Sequence, residues 1–160
     1  ASNLFTKMKR NVFEIIDYQS LIRGGHNFSV VSTSVDDLSS HYMKADLIVN
    51  IDERSLENHK EHLSENGLMI YNSDEVKGDQ EEGTGLPMSS IAEDYSRSDL
   101  ILGVSGIAIL SASLGMEKKD MGGFVEKEYS RGAEENVDYA GKIFDLAKEE
   151  ELFDKFDLEE

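Results

Sequence analysis

Arg23-Gly24-Gly25-His26-Asn27 brings a guanidinium, two glycines, an imidazole and an amide into one short stretch. The arginine offers a planar fork of donors that matches a carboxylate or a phosphate. The glycine pair reaches positive φ at little steric cost, so the backbone can reverse sharply and let a ligand or another chain come close. His26 and Asn27 stand where the next extended run begins. No nucleophile or paired carboxylate is fixed beside His26 by sequence, so it reads as a residue that holds the turn by hydrogen bonding rather than as a general base. Arg-Gly-Gly alone also fits an ordinary turn with a solvated arginine. The other chemical candidates are weaker. His59 and His62 stand three apart, a spacing a metal can use on a helix, but no third ligand accompanies them. His41 has no visible partner. Ser105 in Gly103-Val104-Ser105-Gly106 lacks the Gly-x-Ser-x-Gly spacing of a nucleophile elbow and falls inside a helical pattern. Gly83-x-Gly85 lacks the preceding strand and third glycine of a dinucleotide fingerprint. No catalytic residue and no metal site is expected.

The elements that would position this loop follow from hydrophobic periodicity. Ser2 to Lys9 reads as a short amphipathic helix with Leu4, Phe5 and Met8 on one face. Asn11 to Ile16 and Phe28 to Thr33 read as strands on either side of the loop. Val35 to Met43 is polar and reads as a loop. Ala45 to Ile51 is a short apolar run of the kind that forms a buried parallel strand. Asp52 caps a helix from Glu53 to about Ser64, with Leu56 and Leu63 facing in and Gly67 ending it, before a strand at Leu68 to Asn72. Strand, helix and strand in this order make a βαβ unit. Ser73 to Gly85 reads as an acidic, Gly-rich excursion, and Pro87 opens a short helix. Asp99 to Leu114 is apolar nearly all round, which predicts one buried helix capped by Gly115. Met116 to Ser130 is a helix interrupted at Gly122-Gly123. Arg131-Gly132 breaks it, and Ala133 to Glu150 is the last helix. The expected fold is α/β: a three-layer Rossmann-like domain with a mixed, mostly parallel sheet and a helical C-terminal part.

Length and charge limit the function classes. The chain has 160 residues, which suits one domain with one core. Its net charge of −17 repels phosphate backbones, so nucleic acid is not expected as a partner, although a local anion site at Arg23 is compatible with it. There is no cysteine, so this chain has no thiolate to hold an iron–sulfur cluster. No apolar run approaches the length that spans a bilayer and no leader is visible, so a soluble, cytoplasmic protein with no membrane partner is expected.

The string Tyr18-x-Ser20-Leu21-Ile22-Arg23-Gly24-Gly25-His26-Asn27, followed by Phe28-Ser29-Val30-Val31-Ser32, closely resembles the signature of the gamma domain of 2-oxoacid:ferredoxin oxidoreductases, and most of all the 2-oxoglutarate type. Gln19 stands where the family usually has proline. Further along, Pro87 to Ala92 matches a P-x-x-x-I-A pattern, Leu102-Gly103 and Leu114-Gly115 fall at matching positions, and Asn136 follows Glu134 as in an E-x-N pattern. Asn66-Gly67 and Asn72 depart tolerably from the family's GG-x-x-I-x-D. The family's first strand, its Gly-rich loop and a glycine before Asn11 have no counterpart, so the chain is expected to be truncated, gapped or shortened by a deletion.

The resemblance implies that residues 1–150 form a gamma-type domain and that 151–160 are an acidic tail or the start of a linker. It implies membership in a pyruvate- or 2-oxoglutarate-oxidising complex. Such a complex decarboxylates a 2-oxoacid oxidatively, passing the acyl group to coenzyme A and electrons to ferredoxin. Thiamine diphosphate and iron–sulfur clusters would lie in alpha and beta domains or subunits, and ferredoxin would be met only indirectly. This chain would bind no cofactor by itself. Tyr18, Ser20, Arg23, Gly24, Gly25, His26 and Asn27 would form the interface or anion-binding loop facing the catalytic partner. The residues leave a second reading open: a stand-alone α/β binding module for a small anion or a protein partner.

Overall fold

Leu47-Ile48-Val49 and Leu68-Met69-Ile70 are apolar on consecutive residues, and that composition suits strands covered on both faces. The computed structural model, which describes residues 1–18, 27–77 and 83–158, builds a parallel sheet from them. Its strands are β3 (Ala45–Asn50), β4 (Leu63–Asn72) and β5 (Thr84–Leu86), hydrogen-bonded in that order. Before it come helix α1 (Ser2–Lys7) and strands β1 (Asn11–Tyr18) and β2 (Asn27–Ser34). Helix α2 (Glu53–His59) crosses from β3 to β4. Helices α3 (Met88–Ala92), α4 (Ser98–Ile101), α5 (Ser105–Ser113), α6 (Lys118–Glu128) and α7 (Ala133–Glu149) complete the chain.

Neighbouring residues on a strand point to opposite faces. Ile70 faces a large core with Leu86, Ile107, Ala108, Tyr139, Ile143 and Phe144. Met69 faces a small one with Leu56 of α2 and Val76. Helices therefore cover both faces of the sheet, as a three-layer α/β domain requires. The Asp52 side chain accepts from the Ser55 N–H at 2.7 Å and caps α2.

Several local expectations are corrected. Instead of one mixed sheet there are two, because β1 and β2 pair antiparallel and only with each other among the described strands. Helix α2 ends at His59, a 3-10 turn follows at Lys60–His62, and Leu63 and Gly67 belong to β4. The β3–β4 ladder jumps, Ala45 pairing with Leu63 but Leu47 with Leu68. The Leu63 side chain lies over Gly67, where a Cβ would meet it at 2.7 Å. Gly85 lies in β5 rather than in a loop. The expected long helix from Asp99 is broken by a 3-10 turn at Leu102–Val104. Helix α6 runs unbroken through Gly122 and Gly123, and Gly122 faces Val137 of α7, where an added Cβ would make ordinary contact at 3.6 Å.

Two chain reversals use left-handed residues. Lys9 adopts φ 60 between α1 and β1, in a place where glycine is usual, at a cost of about 1 kcal/mol. Gly115 adopts φ 67 after α5 and donates to the Ala112 carbonyl at 2.9 Å. Residues 152–156 pack back on this helix end. Leu152 is buried, and the Asp154 and Lys155 N–H groups donate to the Ala112 and Ser113 carbonyls at 2.9 and 2.8 Å.

Two buried polar side chains join the layers. Asn72, at the carboxyl end of β4, donates to the Ile51 carbonyl at 3.1 Å and to Ser89 Oγ at 2.8 Å. Its oxygen accepts from the Met88 and Ser89 N–H groups at 3.1 and 3.3 Å. Tyr139 of α7 donates its hydroxyl to the Met88 carbonyl at 3.1 Å and accepts from Ser105 Oγ at 2.8 Å. Burial pushes the Tyr139 phenol up to about 12.

Asn72→Ala should cost about 3 kcal/mol in urea unfolding, because it orphans several buried groups at once. Tyr139→Phe should cost about 1–3 kcal/mol at neutral pH. The two forms should then converge in alkali. The unfolded phenol ionises near 10.0 and the folded one near 12, so the stability held in the neutral form is complete below pH 10 and lost as pH rises through 12. Burial pushes Tyr95 and Tyr129 upward too, so the variant should lose part, not all, of its alkaline decline.

Candidate functional site

Strands β1 and β2 form an eight-rung ladder that runs from Asn11↔Ser34 to Tyr18↔Asn27. The Asn11 end follows α1, whose Leu4 and Phe5 are buried. The Tyr18–Asn27 end lies about 25 Å further along the strands. Near that far end the Phe28 ring meets the His59 ring at 4.7 Å and 59°, so the arm touches the body at both ends.

The arm contributes little to the core. No β1 residue with a described side chain is buried, and in β2 only Ser32 is. Ile15 and Ile16 are adjacent, and Ile16 is 49 % exposed. Adjacent strand residues point oppositely, so both faces of the ribbon present apolar surface. Val35, Tyr42 and Met43, beyond β2, are exposed as well. The Tyr42 N–H donates to Ser32 Oγ at 3.3 Å and ties that loop to the arm. An isolated two-stranded ribbon is marginal in water, and its outer edges offer unpaired backbone groups. Exposed isoleucines on such a ribbon mark a contact surface better than a catalytic one.

The predicted loop residues divide accordingly. Tyr18 and Asn27 are the last paired residues of the ladder, and Asn27 is exposed. Ser20, Arg23, Gly24, Gly25 and His26 lie outside the described residues.

The weaker candidates fall in unreactive settings. Ser105 is fully buried and bonded to Tyr139. The His59 and His62 rings lie 6.1 Å apart, and among the described residues no three metal-binding side chains gather. His41 sits in an exposed loop. Among the described residues no helix is long and apolar enough to cross a membrane.

Sequence reasoning missed the exposed apolar faces of the arm. The signal was present: Ile15-Ile16 breaks strict alternation, and a strand apolar on consecutive residues needs cover on both sides. It also missed Asn72, one of two asparagines, with Asn50, that close the carboxyl ends of adjacent apolar strands.

No curated protein matches this sequence. The fold is similar to 2-oxoglutarate:ferredoxin oxidoreductase from Magnetococcus marinus, with a TM-score of 0.69 and 18 % identity over 92 % of this chain. That match spans only 27 % of the larger protein's chain. The fold is also similar to the gamma subunit of a keto/oxoacid ferredoxin oxidoreductase from Geobacter sulfurreducens PCA, with a TM-score of 0.67 and 20 % identity over 95 % of this chain and 86 % of that one. The family model for pyruvate ferredoxin/flavodoxin oxidoreductase matches residues 1–149, nearly the whole sequence. The chain belongs to the pyruvate ferredoxin/flavodoxin oxidoreductase family.

Proposed function

We propose that this chain is the gamma domain or subunit of a cytoplasmic 2-oxoacid:ferredoxin oxidoreductase. It performs no chemical step itself and docks through its antiparallel arm onto the alpha and beta parts. The observation that carries this reading is the arm, apolar on both faces and with Ser32 its one buried residue among those with described side chains, in a chain that belongs to this family. The absence of cysteine is consistent with it, since the iron–sulfur clusters must then be held elsewhere. Thiamine diphosphate is assigned to the partners as well, and electrons reach ferredoxin through them. The gamma subunit from Geobacter sulfurreducens is similar to this chain over most of both lengths, which favours the same place in an assembly. Coenzyme A, named with the Magnetococcus marinus enzyme, is the acyl acceptor in this reading.

In the assembled enzyme the loop between Tyr18 and Asn27 faces the catalytic partner. Arg23 supplies an anion or interface contact there, Gly24 and Gly25 permit the close approach, and His26 and Asn27 orient the turn. Ser20 and Tyr18 complete that surface.

Affinity recovery from the host with mass spectrometry should return the chain with thiamine diphosphate-binding and iron–sulfur partners, as separate subunits or as one longer polypeptide. Recovery as an unaccompanied 160-residue monomer or self-oligomer would overturn this reading in favour of a stand-alone binding module. Ile15→Ser with Ile16→Ser should weaken assembly at least about tenfold while moving the melting temperature little, as expected for residues that interface formation covers. Equal losses of assembly and melting temperature would instead make the arm part of the domain's own core.

A further inference from the structure

Where α6 turns into α7 beside the start of α4, the surface folds into an open cleft of about 290 Å³. Arg97 and Arg131 line it together with Leu100, Val104, Tyr129 and Ser130, and Glu128 and Asn136 complete its wall. Two guanidinium groups in one depression stand out in a chain of net charge −17. Among the described residues no carboxylate lies within 4 Å of either guanidinium as an ion pair.

The acidic groups around the cleft already have donors. Glu128 accepts from Lys7 Nζ at 2.9 Å and from Asn3 Nδ2 at 2.6 Å. Glu135 accepts from Ser96 Oγ at 2.8 and 3.1 Å. The turn that presents Ser130 and Arg131 is held rigidly. Buried Asn136 donates to the Tyr129 and Arg131 carbonyls at 3.0 and 3.1 Å, Arg97 donates to the Arg131 carbonyl at 3.3 Å, and Gly132 takes the left-handed conformation at φ 72. Positioned donors of this kind lower the ordering cost of binding. Leu100 is 67 % exposed, and with Val104 and Tyr129 it adds apolar surface to the same cleft.

We propose that this cleft is a binding site for a small organic anion. Arg97, Arg131 and Ser130 receive its phosphate or carboxylate group, and Leu100, Val104 and Tyr129 receive its apolar or aromatic body. The paired planar forks match the oxygens of either group. The volume fits a compact molecule or one end of a larger one.

The test is calorimetric titration of the protein as isolated from its host, with phenyl phosphate, benzoate and inorganic phosphate as probes. Phenyl phosphate or benzoate should bind saturably and weaken with added salt, and inorganic phosphate should bind at least about fivefold less tightly. The choice between phenyl phosphate and benzoate distinguishes a phosphate ligand from a carboxylate. The double variant Arg97→Gln, Arg131→Gln should lose at least about tenfold in affinity, whereas Arg54→Gln on α2 should lose nothing. Leu100→Ala should weaken the aromatic probes and leave inorganic phosphate unchanged. The proposal is overturned if no probe saturates by about 10 mM. It is equally overturned if the double variant, checked for an unchanged melting temperature, binds like the parent, or if the aromatic body adds nothing.

Discussion

A parallel sheet persists in water only when both faces are covered, and in this domain the cover is unequal. One face carries α5 and α7 and a deep core sealed by Tyr139 and Phe144. The other carries α2, with Leu56, Met69 and Val76 as its buried centre. Most of the apolar burial therefore lies on the helical side, and the polar ties concentrate at the carboxyl ends of the strands. There Asn72 and Tyr139 both use the backbone of Met88, one through its N–H and the other through its carbonyl. The start of α3 is thus fastened to β4 on one side and to α7 on the other. Partly satisfied buried networks are costly, so the two side chains specify one arrangement of sheet and helices rather than merely adding contacts.

The thin side of the sheet accounts for the placing of the arm. Its β1 and β2 do not extend the parallel sheet, and their clearest contact there is Phe28 against His59, the last residue of the short α2. A ribbon with isoleucines on both faces and so little backing is stable when something else covers it. The family assignment rests on the sequence and the arm's exposure on the geometry.

Much of the fold was legible because its signals are local. Val137, Ala140, Phe144 and Ala147 recur at helical spacing, and α7 buries the last three. Asp52 and Gly115 cap where their chemistry says they should. The errors arose where tertiary contact overrides a local rule. Gly122-Gly123 looks like a break, but α6 runs through both, with Gly122 turned toward Val137 of α7. Leu63 looks like a helix face residue until its side chain is seen folded over Gly67 in β4. Lys9 carries a left-handed turn that sequence assigns to glycine. The loop string from Tyr18 to Asn27 was legible as a motif, and positions 19–26 of it lie outside the described residues. The Arg97–Arg131 cleft was not, because it joins residues far apart in sequence and neither arginine belongs to a motif.

Helix α1 is short, yet it touches three regions at once. Leu4 is buried in the main core, Asn3 and Lys7 hold the Glu128 carboxylate at the end of α6, and Lys9 leads directly into β1. Mechanically it is a crank: its axle is set in the core, one handle is the arm and the other grips the rim of the two-arginine cleft. At its Asn11 end the arm continues back through Lys9 into α1, and near its far end Phe28 meets His59 of α2. The arm and the rim of the cleft are therefore both fastened to one helix of six residues.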